Sequence, residues 1–335
     1  DIGGGTTDIA FAKDKSISYV TSFRFASNAL FENSFSELDE NNGIVDWHKN
    51  EILKLLEEKN LSDLISVFNS ASNTHPANMA SFLFGLKDNT IPQKAGVNVK
   101  AIDFNYLLQE DEDFKIVFII FYTAIIYHIA HIVKLLGLGM PRHISFSGNG
   151  SKVIRVITTD TKLLANYTKL VFEKVLEKPY GKELDLLGLE KDSNPKEATC
   201  KGGIIGTGVE DNRDKMIVFK SDCTGLVTKT DTYATIDDSY KERIITAVED
   251  FFEFVLVDMN AIFNFDKNFG VKTSSISIAQ KTAKKDLLTF LEKGISQRRE
   301  ETEVNDMIEE TFFYYPIKGV LNAISAEIYN ELQQS

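Results

Sequence analysis

The chain has 335 residues, with 37 Lys+Arg against 49 Asp+Glu and a formal net charge of −12, a length that predicts two or three domains. The acidic balance argues against a protein that grips nucleic acid by neutralising phosphates with a basic surface. Hydrophobic residues at 43% supply a core that needs no disulfide or metal staple, and two distant cysteines, Cys200 and Cys223, form neither a disulfide framework nor a zinc site.

No secretory leader pattern opens the chain. It begins at Asp1, inside a Gly-rich motif, which predicts a piece of a longer protein. Asp1-Ile2-Gly3-Gly4-Gly5-Thr6-Thr7-Asp8-Ile9-Ala10 is the most informative stretch. Three consecutive glycines are able to take positive φ and carry no side chain to block an approaching group. Successive backbone N–H groups in such a turn form an anion-binding nest. Thr6 and Thr7 add hydroxyl donors at its rim. Asp1 stands where a carboxylate can hold the waters of a Mg²⁺ ion beside substrate phosphates. Ile9 and Phe11, then Ile17 and Tyr19, alternate at period two around the polar Lys13 to Ser16, so two strands joined by a turn are expected. A P-loop or a dinucleotide site needs a helix after its glycines. Here the glycines lead into a strand, which predicts a β-hairpin with phosphate donors at its bend. The plainer alternative is a Gly-rich hairpin turn, which explains neither the third glycine nor the flanking Asp1 and Thr pair.

From Ala26 to about Asp113 the pattern is helical and more polar. Ile52, Leu55 and Leu56 mark one amphipathic helix, and Leu61, Leu64, Ile65 and Phe68 another. The acidic run Glu110 to Asp113 reads as a solvated loop. Phe114 to Leu136 is the only candidate membrane span. Its uninterrupted apolar part, Ile116 to Ile126, falls short of the ~20 residues a span needs, and His128, His131 and Lys134 follow at once. A buried core helix is the expectation, with both histidines as core residues rather than metal ligands.

Next come a strand over His143–Ser147, the turn Gly148-Asn149-Gly150-Ser151, and a helical pattern to about Glu177. Leu184 to Leu189 reads as another strand. Asn194-Pro195 starts a small-residue helix or turn through Gly206, in which Cys200 reads as a small buried side chain. Met216–Phe219 and Gly225–Thr228 look like strands, and the chain is helical after Ser239. The stripe Ile244, Val248, Phe251, Phe252, Val255, Leu256, Met259, Ile262 follows helical spacing closely. Ile317, Val320, Leu321, Ile324 and Ile328 form another.

DIGGGTTDIA resembles the second phosphate motif of the actin-like ATPase superfamily, which includes actin, DnaK-type chaperones, many sugar kinases and the bacterial actin homologues of cell division and cell shape. Its form is most similar to the last group. Ile144 to Lys152 resembles the superfamily's adenosine motif, an apolar strand followed by a Gly-rich turn into a helix. Lys196-Glu197-Ala198-Thr199-Cys200-Lys201-Gly202-Gly203 resembles its second connecting helix. Together they cover about residues 1–206.

The resemblance implies an α/β, actin-like (ribonuclease H-like) nucleotide-binding half. Residues 1–35 and 114–206 would form the core subdomain, 36–113 an inserted helical subdomain, and 207–335 an extra, mainly helical C-terminal region. It implies ATP and Mg²⁺ as cofactors. Asp1 would bind Mg²⁺ through water or help place the attacking water. Gly3, Gly4, Gly5, Thr6 and Thr7 would cradle the terminal phosphates. Gly148, Asn149 and Gly150 would lie against the sugar and adenine, with Ser151 and Lys152 at the base. Lys152 is equally readable as a stem and cation over a ring face or as a solvated residue.

The pattern also has departures. The family's first phosphate motif is absent, so the partner in forming the site would be a missing N-terminal half, and the fragment alone would be weak or inactive. Asn149 stands where a glycine is common, and Ser27-Asn28 where many relatives have a Gly pair. The implied function is a cytoplasmic ATPase acting as a conformational switch or assembly protein, with a protein partner or self-assembly and without nucleic acid or a transmembrane segment. A metabolite kinase of the same fold and a non-catalytic scaffold are the alternatives.

Overall fold

A computed structural model describes residues 1–13, 16–32, 42–72, 76–190, 215–218 and 230–335. The β-hairpin is present. Strand β1 (Thr7–Lys13) pairs antiparallel with β2 (Ser16–Phe23), from Thr7 opposite Phe23 to Lys13 opposite Ser16, with a bulge at Phe11/Ala12. Helices follow: α1 (Gly43–Glu58), α2 (Ser62–Ser72) and α3 (Pro76–Leu86). Asn42 starts α1 by accepting from the Val45 amide at 3.2 Å, which satisfies a donor the helix leaves open. A short helix, Phe104–Glu110, leads to α4 (Lys115–Leu135).

Helix α4 is the only described helix long and apolar enough to cross a membrane, yet 89% of its most apolar window is buried within the chain. It is a core helix, as its flanking charges predict. It packs on α5 (Thr161–Leu176), and paired hydroxyls tie the two. Tyr122 meets Thr168, and Thr123 meets Tyr167, each at 2.6 Å. Such pairing is required where all four groups are buried. Strand β3 (His143–Ser145) pairs parallel with β4 (Asp185–Leu187), so the apolar run at 184–189 forms a strand as read. Thus the described chain is mostly helical with two two-stranded sheets, loosely an α/β architecture.

The C-terminal region is helical: α6 (Asp238–Glu253), α7 (Thr273–Thr282), α8 (Leu287–Glu301) and α9 (Tyr314–Gln334). It shares one contiguous apolar core with α1, α4 and the hairpin's Phe23 and Phe25. Helices α9 and α1 approach so closely that a Cβ at Gly43 would stand 2.0 Å from the Ser325 carbonyl oxygen.

Several expectations are corrected. The stripe on α6 holds through Met259, but Ile262 is 46% exposed and Phe263 takes the core at 8%. The cause is a π-helical stretch over Phe254–Met259, whose wider turn rotates everything after it out of the 3.6-residue phase. Of the expected strand Met216–Phe219, Met216 makes a bridge to Val20, and Phe219 lies outside the described residues. The acidic run is not a solvated loop throughout. Asp111 caps the start of α4 through the Asp113 and Phe114 amides and lies 3.0 Å from the buried His48 Nε2, while Asp113 pairs with Lys272 at 2.7 Å. The turn after β3 opens a 3₁₀ helix, Asn149–Val156, rather than an α-helix. The segments 194–206 and 225–228, the proposed connecting helix 196–203, and both cysteines lie outside the described residues.

Candidate functional site

The opening turn is a bend closed by the pairing of Ile2 with Thr7. The Gly3 amide donates to the Thr6 carbonyl at 2.9 Å, and the Asp8 amide to the Asp1 carbonyl at 2.8 Å. The motif is therefore the hairpin bend that its sequence predicts. Gly4, Gly5 and Thr6 are exposed, and their backbone N–H groups donate to no group among the described residues. Three successive amides stand available to an outside acceptor.

The reason for the glycines differs from the one read from sequence. None of Gly3, Gly4 and Gly5 lies in the left-handed region, so the turn does not depend on positive φ. Space decides instead. A Cβ at Gly3 would sit 3.2 Å from the Thr6 carbonyl oxygen, and one at Gly4 would sit 3.0 Å from Asn28 Oδ1. A Cβ at Gly5 would meet nothing within 4 Å. Among the described residues, nothing requires position 5 to be bare.

The second Gly-rich turn is brought directly against the first. The Ile2 amide donates to the Ser147 carbonyl at 2.8 Å, and the Gly150 amide to the Ile2 carbonyl at 2.9 Å. Gly148 has φ +81°, where a side chain is strained. Its Cβ would also stand 2.3 Å from Asp1 Oδ1 and from the Ile2 oxygen, and a Cβ at Gly150 would stand 2.1 Å from the Gly3 oxygen. Only glycine at 148 and 150 permits this contact. The exposed carboxylate of Asp1 thus lies over Gly148, between the two turns.

The remaining residues divide. Thr6, Asn149 and Lys152 are exposed. Thr7 is not a rim donor: it is 2% exposed and its hydroxyl donates to the Phe25 carbonyl at 2.6 Å. The β-strand alternation that begins there turns it inward. Ser151 is buried and donates to the Gly148 carbonyl at 2.8 Å, so it shapes the second turn.

Two residues of the site are not legible as such in the sequence, where they stand out only as a departure from a Gly pair. The Ser27 hydroxyl donates to the Gly3 carbonyl at 3.0 Å, and the Asn28 amide to the Gly4 carbonyl at 2.8 Å. Beyond Asn28, Glu32 accepts from its Nδ2 at 2.5 Å. A polar cluster lies further along this side. Glu310 is buried and accepts from Tyr315 at 2.8 Å and from Arg298, with Arg24 at 3.8 Å. Lys318 is pushed down to about 8 by burial, opposed by the charges of Glu310 and Glu32.

No group of three or more His, Cys, Asp or Glu among the described residues is placed to hold a metal. The residues at the turn fit a cation of the Mg²⁺ type all the same. Such an ion keeps several waters and takes one or two carboxylates plus substrate phosphates, and Asp1 is one exposed carboxylate beside open amides. His128 is enclosed by Phe23, Phe313 and Tyr314 and is pushed down to about 3 by burial, a core residue as read. The chain matches no protein-family model, no curated protein and no solved structure.

Proposed function

We propose that this chain supplies one wall of a Mg·ATP site of the actin-like type, in a protein that acts as a conformational switch or assembly ATPase. One observation carries the reading. Two Gly-rich turns remote in sequence are joined by backbone hydrogen bonds, and beside the joint lie three exposed, undonated amides and one carboxylate. In an acidic chain, backbone amides are the donors suited to phosphate, because they carry partial positive charge without needing a basic surface.

In this reading the amides of Gly4, Gly5 and Thr6 donate to the terminal phosphate oxygens. Asp1 accepts from the waters of the cation or orients an attacking water. Asn149 and Lys152, exposed on the second turn, face the nucleoside. The bound Mg²⁺ would neutralise charge that develops on the phosphates. Phosphoryl transfer needs such neutralisation from several sides at once, so this wall alone binds nucleotide weakly and turns it over hardly at all. Closure of a second lobe over the nucleotide couples its state to shape.

Titration of Mg·ATP into the intact protein tests this. Binding is expected, lost in Gly4→Val and weakened in Asp1→Asn, and binding indifferent to both changes defeats the reading. ATP consumption that depends on an added small molecule would identify a metabolite kinase instead. Nucleotide-dependent sedimentation would identify an assembling protein, and binding without turnover a scaffold.

A further inference from the structure

The glycine turn does not hold its shape alone. Its carbonyls at Gly3 and Gly4 are engaged from one side by a single dipeptide, which follows the hairpin and opens the short helix Asn28–Phe31. Ser27 reaches the Gly3 oxygen twice, through its hydroxyl at 3.0 Å and its amide at 3.3 Å. Ser27 also touches the second turn, since a Cβ at Gly150 would stand 2.9 Å from its Oγ. Asn28 holds Gly4 by the backbone bond, and its Oδ1 lies where a Gly4 side chain would begin. The Asn28 amide group is in turn fixed by Glu32.

A peptide unit whose carbonyl is tied inward has its amide neighbour turned the other way, because the peptide is planar and trans. With the Gly3 and Gly4 oxygens held, the N–H groups of Gly4 and Gly5 are constrained to the opposite side, and the chain continues from them into Thr6. We infer that Ser27 and Asn28 are positioning residues of the glycine turn, holding its carbonyls so that the amides of Gly4, Gly5 and Thr6 are presented together to phosphate oxygens. The inference rests on the phosphate reading of the turn. It also accounts for the departure at position 27, where the hydroxyl gives the Gly3 oxygen a second donor that a glycine lacks.

The test uses the full chain, labelled with ¹⁵N at glycine and threonine, with Ser27→Ala and Asn28→Ala as independent variants. In the free protein, each variant is expected to move the amide resonances of Gly4, Gly5 and Thr6 while leaving those of Gly181 and Gly270, at turns far along the chain, unchanged. Titration with Mg·ATP, and separately with inorganic phosphate, is expected to shift the same three amides in the native chain. Ser27→Ala should bind about fivefold more weakly, the equivalent of one neutral hydrogen bond, and Asn28→Ala, which keeps its backbone donor to Gly4, by a smaller factor, each with only a small drop in urea midpoint. Unmoved resonances in the free variants, or affinities equal to native, overturn the positioning role. A native chain whose turn amides respond to neither ligand defeats the phosphate reading instead, and the free-state resonances separate that failure from the first.

Discussion

Gly150→Ala and Gly5→Ala form a matched pair, because the structure assigns them opposite outcomes for the same added methyl. At position 150 the new Cβ would stand 2.1 Å from the Gly3 oxygen, 2.8 Å from the Ile2 oxygen and 2.9 Å from Ser27 Oγ. Two of these are backbone atoms, which cannot rotate aside. The turns must separate, which breaks the Gly150-to-Ile2 and Ile2-to-Ser147 hydrogen bonds. Each is worth ~0.5–1.5 kcal/mol, and overpacking adds ~1–3 kcal/mol. The expected loss is about 2–6 kcal/mol, read as a lower urea midpoint at unchanged slope. At position 5 the methyl enters open space at an ordinary φ. Stability should then rise by ~0.4–1 kcal/mol, since the unfolded chain loses freedom, while Mg·ATP affinity should fall, since in the phosphate reading that open space is where the ligand comes in. If Gly150→Ala unfolds within about 0.5 kcal/mol of native, the size of an ordinary surface change, the contact between the turns is refuted. If Gly5→Ala binds nucleotide as native does, the open side is not the ligand's approach.

Three further predictions concern the scaffold. Glu310→Ala should cost ~1–3 kcal/mol in urea unfolding because it removes the charged acceptor of Tyr315 and of Arg298, which keeps only Glu301, and a loss under ~0.5 kcal/mol would show that water replaces the carboxylate. Burial pushes His128 down to about 3 and His131 to about 4, so the unfolded chain takes up protons below ~6.5 that the folded chain refuses. Stability should fall as pH drops from ~6.5 toward 4, and His128→Phe should flatten that slope in an acid titration followed by circular dichroism. Lys318, pushed down to about 8 by burial, works in a higher window. The unfolded chain keeps its proton up to ~10.4 while the folded chain releases it near 8, so Lys318 opposes folding most below pH 8. Lys318→Met should raise the thermal midpoint at pH 7, with a gain that shrinks as pH climbs from 8 to 10; a constant gain would rule out the charge as its cause.

Local periodicity and turn chemistry were enough to read the hairpin from Ile9, Phe11, Ile17 and Tyr19, the buried helix α4, helices α1, α2 and α5, and strand β4. Each of these signals lies within one element, where the 2.0 and 3.6 repeats of side-chain direction operate. The two Gly-rich turns were likewise visible as turns, and their resemblance to nucleotide motifs rests on residue order alone. Only the tertiary structure decided that they touch, because contact between Ile2 and Gly150 depends on where the segment after β3 meets the first residues. It also turned Thr7 inward to Phe25, and it made Ser27 and Asn28 the grip on Gly3 and Gly4. The π-helical turn that exposes Ile262 left no mark on the apolar spacing before it, and the burial of Asp111 against His48 needed a partner from another helix. A repeat along one chain reports direction, whereas the space that a Cβ would meet and the partner a polar atom finds are set by segments remote in sequence.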